Sequence, residues 1–151
     1  MTTNIATTRE QSARLRQCGV DPETADMSLI AYPNGQTQVF AGKVIINAGT
    51  IINDGEKVAE NIDLVGTPAW SLGALLALLP SEIKIDESPY DEIQEYGLLI
   101  YPFMSGWQID YQYCENDECQ RLECVYDTEL IETCVQAIEW LTANNYKLKQ
   151  L

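Results

Sequence analysis

Four acids whose chemistry could matter lie close together in the second half of the chain. Asp110 sits in a segment of alternating polarity, and Glu115, Asp117 and Glu118 follow in a short polar run. Two carboxylates at a suitable separation can hold Mg²⁺ or divide general acid and base work between them. Fifteen acids fall between residues 81 and 139, so neighbouring carboxylates arise there by chance. Catalysis needs a particular separation and environment that spacing alone does not carry. The enzymatic reading therefore ranks behind a surface that is merely solvated or that binds another protein. Trp107 and Tyr111 share the segment with Asp110. Aromatic residues on a sheet face belong more often to a core, but Trp and Tyr are also favoured on recognition surfaces. Trp107, Asp110, Tyr111, Glu115, Asp117 and Glu118 are accordingly the candidate interaction surface.

The remaining chemistry is sparse. The chain has no His, which removes the commonest general base and metal ligand. Ser-His-Asp and Cys-His catalysis are excluded in their usual forms. Neither a phosphate loop nor a dinucleotide fingerprint occurs. Ser71 lacks the flanking glycine spacing of a nucleophile elbow and reads as the polar surface of a helical first turn. Asn53-Asp54-Gly55-Glu56 resembles a fragment of a calcium loop, but without the repeated ligands or the distant Glu it reads as a turn. Cys114, Cys119 and Cys124 follow a C-x4-C-x4-C spacing, looser than the pairs typical of zinc sites. With Cys18 and Cys134 they make an odd count, which favours free structural thiols in a reducing cytoplasm over a metal site. The expectation is no cofactor and no metal.

The formal charge of −14 is unevenly spread: −3 over residues 1–80, −13 over 81–139 and +2 over the last twelve residues. Such a surface repels nucleic-acid backbones and anionic membranes. It serves solubility first, and can also meet a basic protein partner or imitate DNA. The apolar run from Pro68 to Pro80 is too short to span a bilayer, and the polar first ten residues carry no export signal.

The elements that must position these residues follow from periodicity and punctuation. The spacing predicts a first helix over about Thr8–Cys18, with Thr7 and Glu10 as a capping box, Gly19 just past its end, and Arg9, Arg14 and Arg16 largely outward. Asp21-Pro22-Glu23-Thr24 reads as a capped turn, and Met27–Tyr32 as a strand stopped by Pro33-Asn34-Gly35. Residues 36–66 hold β-branched clusters between tight turns, and 35–65 reads as a β-hairpin insertion within a single domain, 1–151. A second helix is expected over Pro68–Leu79, capped by Thr67 and apolar nearly all round. Ile83–Asp86 alternates as a short strand, and Asp86–Glu95 is an acidic loop or short helix. Then comes a meander: Tyr96–Phe103, a turn at Met104-Ser105-Gly106, Trp107–Tyr113 with a wet face of Gln108, Asp110 and Gln112, a turn at Glu115–Glu118, and Gln120–Tyr126. A last helix from Asp127 or Thr128 to Ala143 carries the stripe Leu130, Ile131, Cys134, Val135, Ile138 and Leu141. The fold class is α+β: an antiparallel sheet, built on a meander of about 96–126 plus shorter strands, with two or three helices packed mainly on one face.

Three stretches carry a resemblance: Gln11-Ser12 with Cys18 to Met27, Pro68-Ala69-Trp70-Ser71-Leu72 to Leu79-Pro80, and Leu130-Ile131 through Ala137–Leu141 to Asn145-Tyr146. In this order they resemble small uncharacterised proteins encoded on phages and mobile elements of gut Bacteroidales. The resemblance implies a bacterial or phage cytoplasmic setting and brings no functional residue with it. The leading expectation is a non-enzymatic accessory protein that binds a protein partner. A carboxylate-dependent, metal-assisted enzyme and a DNA mimic are the alternatives.

Overall fold

The computed structural model describes residues 4–47, 49–60, 62–86, 93–122 and 124–149. In chain order the elements are α1 (Arg9–Gln17), a 3-10 turn (Pro22–Thr24), β1 (Met27–Ala31), β2 (Thr37–Ala41), β3 (Ile45–Asn47), β4 (Ile51–Asn53), β5 (Glu56–Ala59), β6 (Asp63–Val65), β7 (Thr67–Ala69), α2 (Leu72–Leu78), β8 (Glu82–Ile85), β9 (Gln94–Phe103), β10 (Gly106–Glu115), β11 (Glu118–Arg121), β12 (Val125–Asp127) and α3 (Leu130–Ala143). The class is α+β with antiparallel sheets.

Helix α1 starts one residue later than its sequence suggests. Thr8 is the N-cap: its hydroxyl accepts from the Gln11 amide at 3.2 Å, and Gln11 Oε1 accepts from the Thr8 amide at 2.9 Å. Thr7 cannot serve, because its buried hydroxyl accepts from the Trp70 amide and bonds Ser12 Oγ. At the other end Gly19 takes φ +89°, and the amides of Gly19 and Val20 reach back to the carbonyls of Arg16 and Leu15, a left-handed stop that glycine adopts without a Cβ penalty. Arg14 does not point outward. It bonds Glu132 and Glu139, one turn-pair apart on α3, and so ties the first helix to the last.

The expected helix over 68–79 is shorter than its apolar run. Thr67–Ala69 is a strand paired with β1, Leu29 opposite Thr67 and Met27 opposite Ala69. Pro68 is tolerated because β7 is an edge strand, where a missing amide breaks no ladder; in sequence the same Thr-Pro reads as a helix start. Ser71 is the true N-cap, accepting from the Ala74 amide at 3.2 Å and donating to Asp26. Between strand and helix lies Trp70, fully buried, its indole N–H donating to Thr24 Oγ1 at 2.9 Å.

Between Gly42 and Gly66 the described residues include two antiparallel ladders, β3 with β6 and β4 with β5, the latter closed by Asp54 and Gly55 at φ 52° and 76°. Positive φ at both central residues gives the hairpin turn its right-handed twist. The arm leaves the β2-β1-β7 sheet at Gly42, whose amide donates to Asp26 O at 2.8 Å, and is closed at its base by Gly66, whose amide donates to Val44 O at 2.9 Å. Ile45 and Val65, opposite one another, are exposed on it, as is Ile52.

The larger sheet runs β11-β10-β9-β8, with β12 pairing the same edge of β10 as β11. The single third strand expected over Gln120–Tyr126 is thus two short ones. The expected loop or helix over Asp86–Glu95 falls largely on residues 87–92, outside the described ones, while Gln94 and Glu95 already belong to β9. Against one face of this sheet lies α3, whose Cys134, Val135, Ile138 and Leu141 are buried with Ile109 and Tyr111 of β10, and with Leu15, Leu75 and Leu78 of the other helices. Its end is capped by Asn145 at φ 62°. No described helix is long and apolar enough to cross a membrane.

Candidate functional site

Strand β10 places successive side chains on opposite faces of the sheet, and the two faces have opposite chemistry. Ile109 and Tyr111 turn toward the helices. Tyr111 is 1 % exposed, its hydroxyl donates to Pro80 O at 2.7 Å, and its ring stacks on Trp140 at 6.2 Å. Burial pushes its phenol well above the ordinary tyrosine range. Gln108, Asp110 and Gln112 turn to the face without helices.

This second face is not wet in the way its polar pattern suggests. Asp110 is 0 % exposed and Gln108 is buried. The register sets Leu99 opposite Asp110, and sets Tyr101 and Tyr126 on either side of Gln108, so long neighbouring side chains close over the polar row. The Asp110 carboxylate accepts from Tyr101 Oη at 2.6 Å, Gln112 Nε2 at 3.2 Å and Gln108 Nε2 at 3.3 Å. The nearby Cys124 thiol also favours the charged carboxylate. Burial alone drives a carboxyl pKa up; here the Cys124 thiol and the donors from Tyr101, Gln108 and Gln112 outweigh it and hold Asp110 below the ordinary aspartate range. The same bond raises the Tyr101 phenol, and burial with the Asp110 contact raises the Cys124 thiol. All three groups are therefore fixed in the protonation state the bond requires: carboxylate, phenol and thiol. A carboxylate so saturated is a structural acceptor rather than a poised base.

The six candidate residues do not converge. Asp110 and Tyr111 are buried on opposite faces, which corrects their expected place on a common accessible surface. Trp107 is half-buried on the helix side. Glu115, Asp117 and Glu118 are exposed at the β10–β11 hairpin tip, where Asn116 and Asp117 have φ 51° and 66°. Glu115 lies five residues along the strand from Asp110, about 17 Å in extended chain, and on the other face. The two cannot share a metal ion or a substrate. Among the described residues no group of three Cys, Asp or Glu is placed to hold a metal ion.

The cysteines also differ from their expected state. Cys114 and Cys119 are joined by a disulfide, while Cys18, Cys124 and Cys134 are free. The odd count concealed one bonded pair, and with it the sequence argument for a reducing compartment loses its basis. The signal that could have found the pair is its position, five residues apart across a polar turn, which sets the two directly opposite in a hairpin.

What sequence reasoning missed is the outer side of the meander. Leu99, Phe103, Met104 and Tyr126 are 43 %, 45 %, 87 % and 41 % exposed. Phe103 pairs with Gly106 and Tyr126 with Gln108, so both share the Asp110 face, and their rings meet edge-on at 6.2 Å. Elsewhere, a shallow groove of about 390 Å³ runs between the N-terminal segment and the smaller sheet, lined by Ile5, Thr8, Arg9, Leu29 and Val39 among others, and offers no acid–base pair. Comparison with protein-family models, curated proteins and solved structures finds no match for this chain.

Proposed function

We propose that this protein is a non-catalytic binding module that docks a protein partner on the helix-free face of its meander. The observation that carries the reading is the exposed apolar group on this face, Leu99 with Phe103 and Tyr126 in ring contact and Met104 in the adjoining turn, beside a hydrogen-bonded polar centre. Aromatic and Met side chains are enriched at interface centres, and a pre-ordered surface loses little entropy on binding. The partner has an apolar contact framed by Lys and Arg, because the acidic tip of Glu115, Asp117 and Glu118 ends the same sheet and the chain carries −14 overall. An accessory role for a phage or mobile element, inside the bacterial cytoplasm, is the setting that fits the sequence resemblance.

The test is a comparison of three baits. Immobilised wild-type protein, a Phe103→Ser/Tyr126→Ser variant and an Ile45→Ser/Val65→Ser variant of the arm are exposed to the same bacterial lysate. A partner retained by wild type and by the arm variant, lost by the sheet-face variant and released as salt rises supports the reading. Identical capture by all three overturns it.

A further inference from the structure

Cys114 and Cys119 face each other across β10 and β11 with Cα atoms 4.1 Å apart and are bonded through sulfur. Both are exposed, as is every residue of β11. The loop they close is only Glu115 to Glu118, which the ladder and a turn with two positive φ values already hold shut. Stabilisation by a crosslink grows with the logarithm of the loop it closes, so this one is poorly placed as a global staple. On two exposed residues, it is instead open to attack by an external thiolate.

We propose that Cys114–Cys119 is a reversible thiol–disulfide site, opened by a dithiol, that sets how firmly β11 is held against β10. In the opening step a reductant thiolate attacks one sulfur, the protein S–S bond breaks, and a mixed disulfide forms while the other cysteine leaves as thiolate and takes up a proton. The second thiol of the reductant, as thiolate, then displaces the first cysteine, which is also protonated. The reductant ends as a cyclic disulfide, and two electrons and two protons end on Cys114 and Cys119.

What the bond holds can be followed along the chain. Gln120 accepts from Tyr96 Oη at 3.1 Å, Arg121 stands opposite Gln112, and the Leu122 amide donates to Tyr111 O at 2.9 Å. Releasing the crosslink loosens the strand that makes these contacts.

The experiment uses the full chain, oxidised and folded, with dithiothreitol as the dithiol. Under native conditions Cys114 and Cys119 should become available to iodoacetamide, read by peptide mass spectrometry, while the near-ultraviolet circular dichroism of the tryptophans persists. Amide exchange in β11 and at Leu122 should accelerate on the order of tenfold or more, with α3 unchanged, and oxidised dithiothreitol should restore it. A Cys114→Ser/Cys119→Ser variant should exchange like the reduced protein and ignore dithiothreitol. Persistence of the disulfide until the chain is unfolded in urea overturns the proposal. So does identical exchange in the oxidised and reduced states, which is readable on wild-type protein alone.

Discussion

The two faces of β10 use the same pleat for different purposes. On one side Ile109 and Tyr111 are sealed by α3, and stability comes from area removed from water. On the other side Asp110 is equally dry, yet no helix covers it. Its cover is made of the neighbouring side chains Tyr101, Gln108 and Gln112, bonded to it, with the exposed Leu99 and Tyr126 beside them. Burial alone therefore does not identify a core. The helix side is held by packing, which tolerates no cavity. The open side is held by a closed set of donors, which tolerates no missing acceptor.

That contrast can be broken first where packing rules. Tyr111→Ala removes a fully buried ring, its stacking on Trp140 and its bond to Pro80, and should cost about 4 kcal/mol in urea denaturation. A loss below about 1 kcal/mol would mean that α3 does not seal this face. The next effect belongs to the polar side. Asp110→Ala leaves Tyr101, Gln108 and Gln112 without their acceptor and should cost about 2 kcal/mol at neutral pH.

The pH dependence follows from the same bonds. The folded carboxyl titrates below its unfolded value, so the unfolded chain takes up the proton first as pH falls. The contribution of Asp110 is complete above the ordinary aspartate range and is lost on going down through its depressed folded value. Asp110→Asn should flatten that part of the acid limb of a stability–pH curve; an unchanged limb would show that the carboxylate is not held ionised. The smallest effect is expected at the rim. Phe103→Ser, at a solvent-exposed position, should change stability by no more than about 0.5 kcal/mol in the same denaturation assay, which separates a binding residue from a packing one.

Much of this frame is legible in the residues. The alternation from Trp107 to Tyr113 marks β10 and the side that meets the helices, and the stripe from Ile131 to Leu141 marks the buried side of α3. Three things are not legible, each for a physical reason. Thr67-Pro68 has the same local meaning at a helix start and on an edge strand, and only the pairing with β1 decides. Gln108 and Asp110 read as solvated because polar residues usually are; their burial depends on Tyr101 and Tyr126 from strands that pair in space. Thr7 and Thr8 are equivalent caps until Trp70, sixty-three positions away, claims the hydroxyl of the first.

The division of one strand edge between β11 and β12 carries a last consequence. Each is short, four residues and three, and they pair with β10 at separate stretches, Gln112–Glu115 and Trp107–Ile109. The opposite border is β8, four residues long, with Glu82 and Lys84 along it. Long, flat, uncharged borders are what let one molecule template the next into a fibril. This sheet offers an interrupted border on one flank and a charged one on the other, so its outer apolar face can stay bare without recruiting stacked copies.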